Sequence, residues 1–448
     1  MHINITKKIR MTPVQILAIG FAAVIIIGSL LLSLPIASAS RIRTPYVDCL
    51  FTATSATCVT GLVTVDTGTY WSYFGKTVIM CLIETGGLGF MSFATLFALV
   101  LGKRITLKKR MVMQEALNSF NMQGLVKMSR YILLFTFSTE GLGALILSTI
   151  FIPEFGIRKG IYFSIFHSIS AFCNAGFDLI GNFRSLTPYA ENPVIILTIG
   201  ALIVIGGLGF YVWQELYNLK KVKRLSLHTK VVLTATALLI AGGAVLMFIF
   251  EFNNAGTIKN MSLKGKILSS LFASITPRTA GFNSISTSDM SPAGRFLTII
   301  LMFIGGSPGS TAGGIKTTTA ALMVMTVISV VRGRQDTEVF KKRIGKDIID
   351  RALAITLISF FLIVTVVMIL SITEKGASFE YILYETTSAF GTVGLSLGLT
   401  QKLSVIGRIV LSFVMYSGRV GPLTLALALA KKANSAPIRY PEDKILVG

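Results

Sequence analysis

The chain has 448 residues, of which 52% are hydrophobic and 14% are charged, and its mean hydropathy is +0.72. This composition excludes an ordinary soluble globular domain and predicts an all-α integral membrane protein. The net charge of +22 would suggest a nucleic-acid partner in a soluble chain, but its distribution indicates membrane topology, so no nucleic-acid partner is predicted.

Eight apolar segments each reach the roughly 20 residues that a helix needs to cross a bilayer. In chain order they cover residues 14–34, 77–101, 131–152, 194–213, 231–250, 296–331, 352–372 and 405–430. The first follows three basic residues, as a signal peptide would. Because its apolar run is longer than the about 7–15 residues of a cleavable signal, we interpret it as a retained helix.

Basic residues lie mainly on one side of these predicted spans. Of the 42 Lys and Arg residues, 26 fall in segments 1–10, 102–130, 218–230, 331–351 and 431–448, whereas 14 fall in the opposite loops. Lys316 and Arg419 lie within spans. The positive-inside rule therefore predicts a multi-pass protein of the cell membrane with both termini in the cytoplasm.

A short stretch that ends in glycine follows the odd-numbered spans. The four stretches are FTATSATCVTG at 51–61, FHSISAFCNAG at 166–176, LFASITPRTAG at 271–281 and YETTSAFGTVG at 384–394. They are too short to span a bilayer and too polar to face lipid. We interpret each as an outer re-entrant segment, formed by a short helix and an extended strand. The partial negative charge at the C-terminus of each helix would favour a cation.

A second glycine cluster follows each stretch, 24 to 30 residues after its last glycine. The clusters are GGLG at 86–89, GGLG at 206–209, GGSPG at 305–309 and GRVG at 418–421. Close packing of helices through small residues is the alternative interpretation of this second cluster. The glycine-ended stretch and the second glycine cluster recur four times in the same order. This recurrence predicts four helix–pore-loop–helix repeats with pseudo-fourfold symmetry around a central pore. The predicted repeats cover residues 1–115, 116–225, 226–345 and 346–448.

Selective passage of a cation requires oxygens that replace its hydration shell, and glycine lets a strand expose backbone carbonyls. The predicted selectivity filter comprises Thr60, Gly61, Ala175, Gly176, Ala280, Gly281, Val393 and Gly394. Asp66, Asp178 and Asp289 lie just outside it, where they either attract cations or are ordinary loop charges. The positive charge of Arg278 is unfavourable beside a path for cations, so its side chain is predicted to point away or to pair with a carboxylate.

These residues resemble the Trk/Ktr/HKT superfamily of potassium transporters, in particular its bacterial Ktr-type membrane subunits. The resemblance covers essentially the whole chain and rests on TATSATCVTG, ITPRTAGFNS, TSAFGTVGL, GGSPGSTAGGIK and GRVGPLTL. It implies one filter glycine per repeat. It also implies potassium uptake, because some relatives that favour sodium carry serine where this chain has Gly61. A requirement for sodium stays open.

The sixth apolar segment contains GGSPGSTAGGIKTTT at 305–319, in which glycines and a proline disfavour a helix. A plain kinked helix is the alternative, but the resemblance implies an intramembrane loop, at 304–319, that obstructs the path beneath the filter. A buried charge such as Arg419 is costly and indicates function, so we expect it to face the path and contact this loop. The predicted gate comprises Gly305, Gly306, Ser310, Thr311, Gly313, Gly314, Lys316 and Arg419.

The resemblance also implies partners. Ktr-type membrane subunits form homodimers with one pore per chain, and they dock on a cytoplasmic ring of nucleotide-binding regulatory subunits of the KtrA or KtrC kind. ATP and ADP are therefore expected on that partner, and no cofactor is predicted in this chain. The tail 435–448 is a candidate for the dimer interface.

A secondary transporter for another cation or small solute is the alternative function, although such carriers usually contain two inverted repeats. An enzyme is not predicted, because no paired catalytic constellation is visible. The four cysteines and three histidines show no metal-ligand or disulfide spacing, so K⁺ at the filter carbonyls is the one metal predicted. Glu84 and Glu140 are interpreted as hydrogen-bonded packing groups or subunit contacts rather than as a proton relay.

Overall fold

The computed structural model describes residues 12–89, 125–219 and 224–429, together with Pro441 and Asp443. Several predicted features lie outside the described residues. They are the N-terminal segment 1–10, the second half of the apolar segment 77–101, most of the basic segment 102–130 and nearly all of the tail 431–448.

The described chain is helical apart from one short hairpin. Its first half contains α1 (Pro13–Leu32), α2 (Tyr46–Thr57), α3 (Thr67–Tyr70), α4 (Tyr73–Gly87), α5 (Leu125–Phe155), α6 (Ile157–Phe172), α7 (Pro193–Leu208) and α8 (Phe210–Tyr217). Its second half contains α9 (Leu227–Glu251), α10 (Leu263–Ile275), α11 (Pro292–Phe303), α12 (Thr317–Val331), α13 (Lys346–Thr373), α14 (Phe379–Gly391), α15 (Val405–Val420) and α16 (Pro422–Leu429). The hairpin pairs β1 (Glu338–Val339) with β2 (Lys342–Arg343).

Four helices of the described residues are long and apolar enough to cross a membrane without interruption. They are α1, α5, α9 and α13, the first helix of each predicted repeat. A fifth span would be formed by α7 and α8, which meet at an angle of 95°. The chain is thus a helical protein with several membrane-spanning segments, while the count of eight spans stays a prediction.

The second helix of each predicted repeat is broken or ends at the second glycine cluster. Helix α4 ends at Gly87, α7 ends before Gly209, and α15 ends before Gly421. Gly209 and Gly421 have φ angles of 95° and 96°, which glycine adopts far more readily than other residues. Between α11 and α12 the break widens to residues 304–316, so the predicted apolar segment 296–331 is two helices separated by a loop.

Four short helices lie between these longer elements. Helices α2, α6, α10 and α14 have 12, 16, 13 and 13 residues. At 1.5 Å per residue they are about 18–24 Å long, less than the about 30 Å of a bilayer core. The large residues that begin three of the glycine stretches, Phe51, Phe166 and Tyr384, are fully buried and anchor the short helices in the core.

Hydrogen bonds at two helix starts join neighbouring helices at their ends. The hydroxyls of Ser291 and Ser404 accept from backbone N–H groups in the first turns of α11 and α15. Each of these serines also donates its hydroxyl to a carboxylate at the end of a long helix, Ser291 to Glu251 at 2.7 Å and Ser404 to Glu374 at 2.6 Å. The same type of contact therefore joins the end of the long helix to the start of the next one in the third and in the fourth predicted repeats.

Candidate functional site

The segment after each short helix has the same backbone conformation in all four places. Its last glycine has a positive φ angle, between 67° and 92°, at Gly61, Gly176, Gly281 and Gly394. The residue two positions earlier is also left-handed, with φ between 51° and 77°, at Val59, Asn174, Thr279 and Thr392. Left-handed conformation costs a non-glycine residue about 1–2 kcal/mol. Four equivalent strained positions indicate one backbone shape repeated four times.

The four glycines form a closed ring. A Cβ atom built on Gly61 would lie 2.5 Å from the carbonyl oxygen of Ala175, the residue before Gly176. In the same way Gly176 faces the carbonyl of Ala280, Gly281 faces that of Val393, and Gly394 faces that of Thr60. Each glycine thus touches the next segment in chain order, and the fourth returns to the first. Any side chain at these positions would displace backbone of the neighbouring segment.

Hydrogen bonds to the short helices hold each segment in place. The N–H groups of Thr60, Ala175 and Val393 donate to serine carbonyls five residues earlier, at 2.7–2.9 Å. The side chains of those serines add a second bond. Ser55 and Ser388 accept from the glycine N–H groups at 3.0 and 3.1 Å, and Ser170 donates to the Phe177 carbonyl at 2.7 Å.

Thr276 takes the place of these serines in the third segment. Its carbonyl accepts from the N–H of Ala280 at 2.9 Å, and its hydroxyl donates to the Phe282 carbonyl at 2.7 Å. A Ser-Ala pair stands six and five residues before the glycine in the other three stretches. Its role is structural, because its serine fixes the segment that carries the glycine.

A cavity of about 350 Å³ opens above the ring and is lined by all four glycines. Asp66 and Asp178 also line this cavity, whereas Asp289 is not among its lining residues. Asp66 accepts hydrogen bonds from Phe183 N–H and from Thr69. Burial, with a further contribution from the charge of Asp66, raises the pKa of Asp178 to about 7. Two of the three predicted aspartates thus lie in this cavity, together with Arg184, while their action on ions stays a prediction.

Arg278 points away from this cavity. Its side chain is 7% exposed, and its Nη2 atom lies 3.5 Å from Thr236 Oγ1 on α9. The structure thus agrees with the first of the two predicted arrangements, in which the guanidinium faces away from the ring. No carboxylate pairs with Arg278 among the described residues.

The loop at 304–316 is compact and buried beneath the ring. Gly305 N–H donates to the Ile315 carbonyl at 2.8 Å, and Lys316 Nζ donates to the Ala312 carbonyl at 2.6 Å, so the loop closes on itself. A kinked helix is wrong for this segment, because the chain leaves helical conformation for more than ten residues between α11 and α12.

Contacts of the loop reach the inner ends of the short helices. The hydroxyl of Thr311 donates to the carbonyl of Phe172, the last residue of α6, at 3.1 Å. A Cβ built on Gly313 would collide with Thr392, and one on Gly314 would lie 3.2 Å from Gly391 Cα. The loop therefore sits directly below the segments of the second and fourth glycines.

Arg419 connects the loop to the first predicted repeat. Its guanidinium donates to the carbonyl of Thr311 in the loop, and to the carbonyls of Gly86 and Gly87 at the end of α4. Because an arginine fork carries five donors in a fixed plane, one side chain can bind three carbonyls from two elements. The predicted contact between Arg419 and the loop is present, whereas its role in gating stays a prediction.

Three glycines of the second clusters pack on the inner ends of the short helices. A Cβ on Gly86, Gly206 or Gly418 would collide with the carbonyl oxygens of Thr57, Phe172 and Phe390, respectively. Each of these carbonyls lies four residues before a ring glycine. The alternative interpretation of the second clusters, close packing through small residues, therefore describes a real contact and accompanies the helix breaks.

Sequence reasoning missed a buried group of side chains beside the ring. Glu84 of α4, Glu140 of α5 and Cys173, which follows the last residue of α6, lie together with their ligand atoms within 4.8 Å of one another. The three residues are far apart in sequence, so no spacing rule could find them. The left-handed positions before the glycines were missed as well, and only Asn174, a residue type that tolerates this conformation, carried a signal.

The apolar spanning helices and the broken helices around a buried glycine ring define an integral membrane transport protein. The chain belongs to the TrkH family of cation transport proteins, whose family pattern matches residues 5–439. The resemblance to the Trk/Ktr/HKT superfamily is thereby confirmed, and so is the expectation that the chain is a transporter and not an enzyme.

Similar proteins support this assignment. The chain is 46% identical to the potassium/sodium uptake protein NtpJ of Enterococcus hirae, over 98% of both chains. It is 44% identical to the Ktr system potassium uptake protein B of Bacillus subtilis, over 99% of both chains. The crystal structure of the potassium transporter TrkH from Vibrio parahaemolyticus shares the fold, with a TM-score of 0.74 and 18% identity over 95% of this chain and 86% of that one.

Proposed function

We propose that this chain takes up potassium across the cell membrane through a path at the centre of the four-glycine ring. The observation that carries the proposal is the ring itself, in which each glycine meets the backbone carbonyl of the next segment and the fourth meets the first. In this proposal carbonyls of residues 60–61, 175–176, 280–281 and 393–394 replace the water around a K⁺ ion. The two similar uptake proteins, named for potassium or for potassium and sodium, support the choice of ion.

The four repeats supply the symmetry that such a path needs. Short helices α2, α6, α10 and α14 end at the ring, so that their partial negative charges favour a cation there. Left-handed residues recur at equivalent positions, and so do hydroxyls that hydrogen-bond to the ring segments. Both support repeats at 1–115, 116–225, 226–345 and 346–448. The distribution of basic residues supports an orientation with both termini in the cytoplasm and the cavity of about 350 Å³ outside.

The loop at 304–319 acts as the gate in this proposal. It is held below the ring by Thr311 and by the Arg419 guanidinium, and its glycines allow it to rearrange. Displacement of the loop would open the lower half of the path. A guanidinium on this path also opposes the presence of a second cation directly below the filter.

Control of the gate comes from outside the chain in this proposal. The chain works as a homodimer with one pore per chain, and a cytoplasmic ring of nucleotide-binding regulatory subunits moves the loop in response to ATP or ADP. Two of the similar proteins are named as parts of a Ktr system, protein B and protein D of Bacillus subtilis, which supports a membrane subunit that works with others.

Uptake of K⁺ by cells that lack their own uptake systems tests the proposed path. Gly394→Ala places a Cβ against the Thr60 carbonyl, in a φ of 92° that alanine adopts only with strain. We expect this variant to lose K⁺ uptake or to admit Na⁺. The matched control is Gly242→Ala on α9, where an added Cβ meets nothing within 4 Å. Unchanged uptake and selectivity in Gly394→Ala, at equal amounts in the membrane, would refute the path.

A secondary transporter for another cation or a small solute predicts a different result. Such a carrier binds its substrate at a midplane site between two inverted halves, so substitution of one ring glycine would not change the preference for K⁺ over Na⁺. The same two variants therefore distinguish the two functions.

A further inference from the structure

We propose that Glu84, Glu140 and Cys173 form a binding site for a thiophilic divalent cation, such as Zn²⁺ or Cd²⁺, beside the second segment of the glycine ring. The site is separate from the ring and from the gate loop. It joins three elements, because Glu84 lies on α4, Glu140 lies on α5, and Cys173 follows the last residue of α6.

The distances between the three side chains match the geometry of a tetrahedral zinc site. Cys173 Sγ lies 3.5 Å from Glu84 Oε2 and 3.8 Å from Glu140 Oε1. With Zn–S of about 2.3 Å and Zn–O of about 2.1 Å, a tetrahedral angle places sulfur and oxygen about 3.6 Å apart. The two measured distances lie on either side of this value, so both sulfur–oxygen pairs are compatible with a shared ion.

A second observation indicates that a proton or a cation lies among these carboxyl groups, because those of Glu84 and Glu140 are within hydrogen-bonding reach of each other. Glu84 is 7% exposed, and its Oε1 atom has no hydrogen-bond partner among the described residues. Leaving a buried carboxylate oxygen without a partner is costly, and a cation would remove this cost. Oε2, Glu140 and the sulfur supply three corners of a tetrahedron, and the fourth would be open to a water molecule, because one carboxylate cannot span two corners.

The charges balance when a divalent ion is present. Two carboxylates and one thiolate carry three negative charges, and a divalent ion leaves one of them. Arg419 carries the compensating positive charge, since its guanidinium donates to the Gly86 and Gly87 carbonyls, two and three residues after Glu84. Without a metal, protons must neutralise these groups, and binding of the ion therefore releases the Cys173 thiol proton and any carboxyl proton.

The ligand set selects the ion. A thiolate is a soft ligand that Zn²⁺ and Cd²⁺ accept, whereas K⁺, Mg²⁺ and Ca²⁺ prefer oxygen alone. The transported ion therefore does not compete strongly for this site. Because Cys173 precedes the ring residue Gly176 by three positions, an ion here would fasten α4 and α5 to the base of the second ring segment.

Metal binding by the full-length protein in detergent tests the inference. We expect one Cd²⁺ per chain, with the ultraviolet charge-transfer band of a Cd²⁺–thiolate bond and with tighter binding at higher pH, since the ligands must lose protons. Cys173→Ser abolishes the band, and Glu140→Gln weakens binding by at least about tenfold. Cys58→Ser is the matched control, because Cys58 is buried three residues before Gly61 but no comparable cluster forms around it among the described residues.

X-ray absorption of the Zn²⁺-loaded wild-type protein gives a second measurement that needs no variant. One sulfur at about 2.3 Å and oxygens at about 2.0–2.2 Å are expected around the metal. Absence of stoichiometric binding to the wild-type chain, a shell without sulfur, or a band that persists in a folded Cys173→Ser protein would each overturn the site. Absence of binding would indicate that the two carboxyls only share a proton.

Discussion

Replacement of Arg419 by alanine tests how the loop is held beneath the ring. The guanidinium donates to the Thr311 carbonyl only while the loop occupies its observed place, whereas Gly86 and Gly87 belong to α4. A hydrogen bond to a charged group contributes about 1.5–3 kcal/mol. Its loss changes the ratio of seated to displaced loop by about 10–150-fold, at about 1.4 kcal/mol for each factor of ten.

We therefore expect Arg419→Ala to raise the maximal rate of K⁺ uptake by about tenfold or more, measured in liposomes that contain the purified protein. Arg419→Lys separates two causes, because lysine keeps the positive charge but lacks the planar fork. If the hydrogen bonds hold the loop, the lysine variant also transports faster; if only the charge matters, it behaves like the wild type.

Arg295→Ala is the control for loss of a charge. Arg295 pairs with Glu380 at 3.0 Å, and the two side chains are 18% and 41% exposed, so their ion pair contributes about 0–1 kcal/mol. We expect its rate to stay within about twofold of the wild type. An Arg419→Ala protein that is folded and transports no faster than this control would refute the proposed restraint on the loop.

Three further predictions concern other parts of the molecule. Gly305→Ala places a Cβ against the Gly313 carbonyl, so the loop cannot close and K⁺ flux rises in the same liposome assay; unchanged flux contradicts this. Asp178, with its pKa of about 7, is neutral below that pH and charged above it, so the KM for K⁺ falls as the external pH rises from about 6 to 8. Asp178→Asn removes this pH dependence, and a wild-type KM that does not change with pH refutes the role of Asp178. Asp48 and Arg408 join α2 to α15 at 2.7 Å with little exposure, so Arg408→Ala lowers the free energy of unfolding by about 2–4 kcal/mol, measured by thermal unfolding.

Much of the fold was predictable from apolar length and charge. The four uninterrupted helices coincide with the first, third, fifth and seventh predicted segments, and the family assignment from short motifs is confirmed. The other four segments behave differently because their glycines end the helix inside the apolar run. Hydropathy averages over such a break, so composition alone predicted a continuous span at 405–430 where the chain turns at Gly421.

Less of the site could be predicted, for two physical reasons. The positive φ angles of Val59, Thr279 and Thr392 cannot be predicted from their residue types, which normally avoid this conformation. Only the surrounding structure enforces it. Contacts among Glu84, Glu140 and Cys173 arise from tertiary packing of three elements. Sequence reasoning located the ring glycines because a positive φ, unlike a tertiary contact, selects for a residue type.

The third repeat differs from the others at the position where the loop needs space. In the first, second and fourth predicted repeats a glycine packs on the carbonyl four residues before the ring glycine, and this contact brings the second helix against the short helix. The corresponding residue of the third repeat is Pro277, and Gly305 packs on the loop carbonyl of Gly313 instead.

Residues 304–316 lie beneath the ring instead, where they contact the ends of the second and fourth short helices. In the proposed function, fourfold symmetry suits the ring, because a dehydrated ion needs oxygens on all sides. A loop that obstructs the path has to break that symmetry, since four copies would meet at the axis. A single chain with four unequal repeats can satisfy both requirements, whereas four identical subunits could not place one loop on the axis.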